Sequence, residues 1–398
     1  MGEHATIGDR LRSVRKRRGL TQSALAERSG VSVSLIRKLE QGEQEGTRLE
    51  TARKFARVLR VETSALVGRP SAEPPQETDV ELWADVRKAL EGVFTEEPPE
   101  PPTIAGVKAV FDESKPLFRG GKFTELVPVL TSLLRDADTL VESSSGRGTE
   151  ARRLRSRIRQ MTAWLMTLTW QFEAADLAIR LALDDAPDVR SAVPVMDAEC
   201  WRYIRQGDLT KAREVAIRWA DDIEPRRISK ASREDIAAWG LMLLRVSTAA
   251  VRDNRPGEAD DALTFARMAA MGARRIEHKS DDGLLHAFGP KTVAMLKAEN
   301  ALLDNKPDVT LAVASQLGGD AYPLPWVWNR HRLDVAAAHA SVWQYPQAVA
   351  VLQEIRRDLP EWLLKQRYAR DTLARIVEKR RTLTPEIREL ADFIGVPY

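Results

Sequence analysis

Apolar residues recur at three- and four-residue spacing along almost the whole chain. "RIRQMTAWLMTLTWQFEAADLAIRLAL" and "REDIAAWGLMLLRVSTAAV" carry such stripes without a break, which is the period of an amphipathic helix. The strict alternation of a half-buried strand is scarce. The pattern predicts an all-α protein. Two proline-rich polar runs interrupt it, "GRPSAEPPQETD" at 68–79 and "EEPPEPPT" at 96–103. Sequence of this kind forms extended connections. One short helix, "ELWADVRKALEG" at 81–92, lies between them. The expected organisation is a first domain over 1–68, an acidic proline-rich linker with one short helix over 69–102, and a helical body over 103–398.

Within the body, turn signals recur between helical stretches: "FRGGKF", "TWQFEA", "RQGDLTKA", "RDNRPGEA", "LDNKPDVT" and "VWQYPQAV". With Phe123, Phe172, Leu209, Pro256, Pro307 and Tyr345 as equivalent points, the spacings are 49, 37, 47, 51 and 38. That is a degenerate helix-turn-helix repeat, longer than the strict tetratricopeptide unit. Single helix pairs cannot bury their faces alone, so such pairs are expected to stack into an α-solenoid with a concave inner surface. A non-repetitive bundle is the competing arrangement.

Charge sharpens the division. Residues 1–69 hold 15 Lys and Arg against 8 Asp and Glu, whereas 70–102 hold 2 against 9. A basic head suits a polyanion. The chain has one cysteine, Cys200, which excludes an intramolecular disulfide or a cysteine-based zinc site. No apolar run approaches the roughly 20 residues that span a bilayer. A cytoplasmic protein with no membrane partner is expected.

The head carries the most informative stretch, "TQSALAERSGVSVSLIRKLEQGE" at 21–43. Thr21 can cap a helix over Gln22 to Ser29, Gly30 can end it in a left-handed conformation, and Ser32 can cap a second helix over Val33 to Gln41. Leu25, Ala26, Val31, Ile36 and Leu39 are spaced to face inward. "IGDRLRSVRKRRG" and "RLETARKFARVLRV" add further apolar stripes, so four or five short helices close a small core. The stretch resembles the helix-turn-helix of the XRE (Cro/C1-type, lambda repressor-like) family over about residues 6–68. The resemblance implies a five-helix DNA-binding domain. It places Val33, Ser34 and Lys38 at base-reading positions with Ser32 and Arg37 beside them, Gln22 and Gln41 at backbone contacts, and Arg15 with Glu40 in a buried ion pair. Such a face fits the major groove. Glu43 and Glu45 lie where phosphates would run, which leaves Arg48 as the better contact in that loop.

Candidate chemistry in the body is sparse. His278, His286, His331 and His339 are scattered, and no carboxylate or cysteine completes a metal set. "FRGGKF" lacks the order of a phosphate loop, and no Gly-x-Ser-x-Gly element occurs. No catalytic residue, metal or cofactor is expected. The body is rich in tryptophan, and "AYPLPWVWNRHR" offers Trp326, Asn329 and Arg330 as an aromatic and polar wall. Asn300, an amide within an apolar helical pattern, could hold a peptide backbone. The whole layout resembles regulators with an XRE-type head and a tetratricopeptide-like body, the peptide-sensing RRNPP group and many actinobacterial proteins among them. That implies a quorum-sensing type of transcription regulator. It would be a homodimer reading a pseudo-palindromic double-stranded operator, with a signalling peptide or small molecule bound in the body. The alternative is a solenoid that serves as a protein interaction scaffold without a diffusible ligand.

Overall fold

The computed structural model describes residues 6–67, 77–94, 100–143, 148–273, 287–318 and 324–398. Most of the first proline-rich run, His278 and His286 lie outside these. Every regular element among the described residues is helical. The head consists of α1 (Ile7–Arg17), α2 (Gln22–Ser29), α3 (Val33–Gln41), α4 (Leu49–Leu59) and α5 (Thr63–Val67). Its core is built from Leu11, Leu25, Ile36, Leu39, Phe55 and Leu59, with the partly buried Val31 against them. A close approach of α1 to α3 depends on Gly8, where an added Cβ would sit 1.8 Å from the Leu39 carbonyl oxygen.

The expected linker helix is in fact two, α6 (Glu77–Leu82) and α7 (Ala84–Leu90). Trp83 between them is fully buried, and with Val86 and Leu90 it joins the main core of the body. This part of the 69–102 stretch is therefore structural rather than a tether. Truncating a buried tryptophan to alanine costs ~3–5 kcal/mol.

Six helix pairs follow: α8 (Ile104–Arg119) with α9 (Phe123–Glu142), α10 (Thr149–Leu168) with α11 (Phe172–Asp185), α12 (Val189–Gln206) with α13 (Leu209–Asp222), α14 (Arg233–Arg252) with α15 (Pro256–Gly272), α16 (Pro290–Leu303) with α17 (Pro307–Gln316), and α18 (Pro325–Ser341) with α19 (Tyr345–Asp358). The six second helices begin at the six points expected from the turn signals. One local geometry explains this. Two residues before each second helix stands a left-handed residue: Gly121, Trp170, Gly207, Asn254, Asn305 and Trp343, with φ between 60 and 87°. The next residue donates its N–H to the carbonyl five positions back, from Lys122 to Leu117 (3.0 Å) through to Gln344 to His339 (2.9 Å). This is the Schellman closure, which satisfies carbonyls a helix end would otherwise leave without partners.

The chain ends in α20 (Pro360–Leu364), α21 (Arg367–Lys379) and α22 (Pro385–Ile394). These bring the last repeat back to the first. The Glu361 carboxylate accepts the backbone N–H groups of Phe123 (3.0 Å) and Thr124 (3.1 Å), capping α9 from across the fold. A Cβ on Gly121 would stand 3.2 Å from the Trp362 Cβ, so glycine serves both the turn and the contact. Phe118 at the end of α8 meets Trp326 of α18 edge-on at 4.9 Å. The solenoid thus closes on itself, and one apolar cluster runs through both ends, from Trp83 to Val396.

Candidate functional site

The helix-turn-helix is built by its caps. Thr21 Oγ1 accepts from the Ala24 N–H (3.0 Å), Gly30 takes φ 66°, and Ser32 Oγ accepts from the Leu35 N–H (3.3 Å). With Ile36 and Leu39 buried, α3 turns Ser34, Arg37, Lys38 and Gln41 outward beside the exposed cap Ser32, and Val33 is half-buried. Behind them Arg15 donates twice to Glu40, at 2.6 Å each, and once to the Leu20 carbonyl. Burial works against the charge on Glu40, but the bonds from Arg15 and Gln22 outweigh it and hold the carboxyl below its ordinary value. The Gln22 amide donates to Glu40 at 2.9 Å, so its position at the start of α2 is fixed by the ion pair. The exposed Arg48 side chain faces the body and pairs with Asp371 of α21 at 2.6 Å.

The head sits on the body through α4, α5 and the turn between α14 and α15. The Thr63 hydroxyl donates to the Arg252 carbonyl (2.9 Å), and the Ser64 N–H donates to the Asp253 carboxylate (2.8 Å). The Asn254 amide donates to the Val61 carbonyl (2.8 Å), and Arg255 pairs with Glu62 (2.6 Å). Four consecutive residues of one turn therefore hold the junction of α4 and α5. Arg57 adds a bond to the Leu303 carbonyl at 3.0 Å. Arg53 on α4 is pushed down to about 10, first by burial and then by the nearby Arg252.

The body holds a cavity of about 1250 Å³ that opens to solvent. Apart from Trp362 and Gln366, its lining comes from the first helix of each pair and the residues flanking it. Counting back from the start of each second helix reveals the pattern. Lys115, Trp164, Trp201, Thr248 and Glu299 stand eight residues before it in five of the six pairs and line the cavity, whereas the sixth equivalent, Ala337, is buried and does not. Trp201 stacks on Trp164 at 5.1 Å with planes 18° apart, and Phe118 and Trp326 close the box at 5.1 and 5.4 Å from Trp164. A charged group adjoins it. Glu299 accepts from Arg252 and, at 2.9 Å, from Arg330, which also reaches Asp334 at 3.2 Å. Burial opposes ionisation of Glu299, yet its two arginines hold it well below the usual carboxylate range. Asp334 is raised, by burial first, with Glu299 adding and Arg330 only partly offsetting. His331 is lowered to about 4 by burial.

Of the ligand residues expected from sequence, Trp326 and Arg330 line the cavity. Asn300 is buried and donates to the Ser247 hydroxyl (2.9 Å), and Asn329 donates to the Pro325 carbonyl (2.9 Å); neither is among the lining residues. Trp164, Trp201, Arg205, Arg252 and Glu299 were not singled out, although the repeat register marks Trp164, Trp201 and Glu299. Among the described residues no group of three or more His, Cys, Asp or Glu is placed to hold a metal ion, and no helix is long and apolar enough to cross a membrane.

Fold and exposed recognition helix define the class: an all-α protein with an N-terminal helix-turn-helix DNA-binding domain. The comparison with protein families agrees, since residues 11–66 match the helix-turn-helix family model. The head is an XRE-type helix-turn-helix, the DNA-binding unit of a transcription regulator. Neither the curated proteins nor the solved structures offer a match to the chain.

Proposed function

We propose that this protein is a homodimeric transcription regulator whose body binds a signal in its interior cavity and passes the change to the DNA-reading head. The observation that carries the reading is a single residue, Arg252. Its side chain lines the cavity and pairs with Glu299, while its carbonyl accepts the Thr63 hydroxyl of the head. A ligand that draws on the Glu299 group displaces the turn on which the head rests. A coupling of about 1–3 kcal/mol changes affinity by roughly 5–150-fold, so a modest shift suffices. The concave, partly open shape and its aromatic cluster support a small molecule or short peptide over a scaffold for a folded partner, because ligand pockets are concave and combine apolar walls with placed polar groups. Base reading belongs to Ser32, Val33, Ser34, Arg37 and Lys38, with Gln22 and Gln41 at the backbone. Arg48 joins them only after release from Asp371.

The test is selection of binding sites from random duplex DNA with the full chain. Two half-sites about one helical turn apart are expected, as for paired heads. Scrambling one half-site is expected to weaken binding more than about 10-fold. A single undivided site bound by one chain overturns the dimeric reading.

A further inference from the structure

The cavity also indicates the chemistry of its ligand, given the reading that it is the signal site. Its lining carries ten Lys and Arg side chains against six Asp and Glu. Most of these cations are committed: Lys108 and Lys115 to Asp112, Arg153 to Asp188, Arg190 to Asp235, Arg245 to Asp197 in a two-bond pair (2.6 and 2.7 Å), and Arg252 and Arg330 to Glu299. Arg205 of α12 differs. It pairs with no carboxylate among the described residues, and the charged groups that act on it, Arg330 and Arg367, are both cations. Its Nη2 donates to the Leu168 carbonyl (2.9 Å), and its Nε is buried without a partner. Burial and the two neighbouring cations push it down to about 9, which marks a positive charge that no carboxylate balances.

The aromatic box starts at this residue. The Arg205 guanidinium lies 5.5 Å from the Trp201 ring, and Trp201 stacks on Trp164 at 5.1 Å. Trp326 stands 5.4 Å beyond Trp164. These rings pack on one another and are only partly buried, so part of the cluster faces the cavity. Aromatic boxes often hold cations. Here Arg205, with no carboxylate beside it and two cations near it, opposes a cationic guest and favours an anionic one.

We propose that the cavity takes a molecule with a carboxylate beside a flat apolar group, the carboxylate meeting Arg205 and the apolar group lying against the cluster of Trp201, Trp164, Trp326 and Phe118. A free aromatic acid and the C-terminus of a peptide that ends in an aromatic residue share this chemistry.

Calorimetric titration of the full chain separates the cases. The probes are indole-3-propionate and indole-3-propionamide, and a tetra-alanine peptide ending in tryptophan with a free or an amidated C-terminus. At least one acid is expected to bind about 10-fold or more tightly than its amide, because a charge-assisted bond is lost. The free acid binding better identifies a small-molecule site, and the free-ended peptide binding better identifies a peptide site. Arg205→Gln is expected to abolish the preference for the acid and Arg205→Lys to restore part of it, with melting temperatures unchanged or raised because an unbalanced buried charge is removed or made more adaptable. Equal binding of acid and amide overturns the proposal. So does a preference that survives Arg205→Gln, or the absence of binding by all probes at millimolar concentration. Acid-selective binding that leaves affinity for the selected DNA unchanged would overturn the regulatory reading instead and leave this assignment standing.

Discussion

Asn254 offers a clean way to loosen the head from the body. It occupies a left-handed position, φ 60°, and its amide donates to the Val61 carbonyl at 2.8 Å and, more weakly, to the Ala56 carbonyl at 3.4 Å. The Ala56 carbonyl already accepts the Val61 N–H at 3.0 Å, so the loss falls mainly on one bond. Asn254→Gly keeps the backbone conformation without steric cost and removes only the amide. The expected loss is about 1–1.5 kcal/mol, which raises the undocked fraction roughly 5–10-fold. Asn254→Asp also tolerates the conformation but sets a carboxylate against two carbonyl oxygens, acceptor facing acceptor. Its effect is expected to reach about 2–3 kcal/mol, or roughly 30–150-fold. Amide hydrogen exchange of peptides from 49–67 reads the undocking directly, with peptides from α10 as the internal reference. The reasoning fails if Asn254→Asp exchanges no faster than the wild type in the head, or if the glycine variant is the more disrupted of the two.

Breaking the buried pair in the head by Arg15→Met is expected to destabilise that domain by ~3–5 kcal/mol, since it strands the Glu40 charge; thermal unfolding followed by hydrogen exchange over 7–59 checks it. Because Glu40 titrates below its ordinary value when folded, its contribution is present above the ordinary carboxylate range and is lost as pH falls through the lowered value. The head should therefore melt at lower temperature in acid, and Glu40→Gln should flatten that dependence. Lys38→Ala is expected to weaken binding to a selected site by ~1–3 kcal/mol, and Ser34→Ala to change base preference near the α3 N-terminus, both read by gel shift on variant duplexes. Trp343→Gly is expected to stabilise the chain by ~0.5–1 kcal/mol in a denaturant titration, because the left-handed backbone costs ~1–2 kcal/mol for a side chain and the ring is 71% exposed. Trp170→Gly relieves the same backbone but loses a ring held between Arg205 and Arg367, so it should not stabilise.

Local rules made the head and the repeat legible. The bounds of α2 and α3 follow from Thr21, Gly30 and Ser32, whose roles are settled within a few residues of themselves. The starts of the second helices follow from a recurring turn, visible as glycine or asparagine at Gly121, Gly207, Asn254 and Asn305. What the sequence did not disclose was rotation. Asn300 and Asn329 were expected to face the ligand, yet the lining positions are their neighbours Glu299 and Arg330. One residue turns a helix side chain by about 100°, and which stripe faces inward depends on packing against neighbouring pairs. Trp83 was hidden for a similar reason. It lies between proline-rich runs, and its core partners, Phe123 among them, come from a distant helix.

The return of the last helices onto Gly121 and Phe123 has a consequence for how this body can vary. An open array lengthens or shortens by one unit and adjusts only its neighbours, and its ends fray first. A closed one has no such freedom. Its circumference is fixed by the number of units, so gain or loss of one pair would part Glu361 from α9 and Trp326 from Phe118 together. The melting of such a body should be a single event rather than a progressive unravelling.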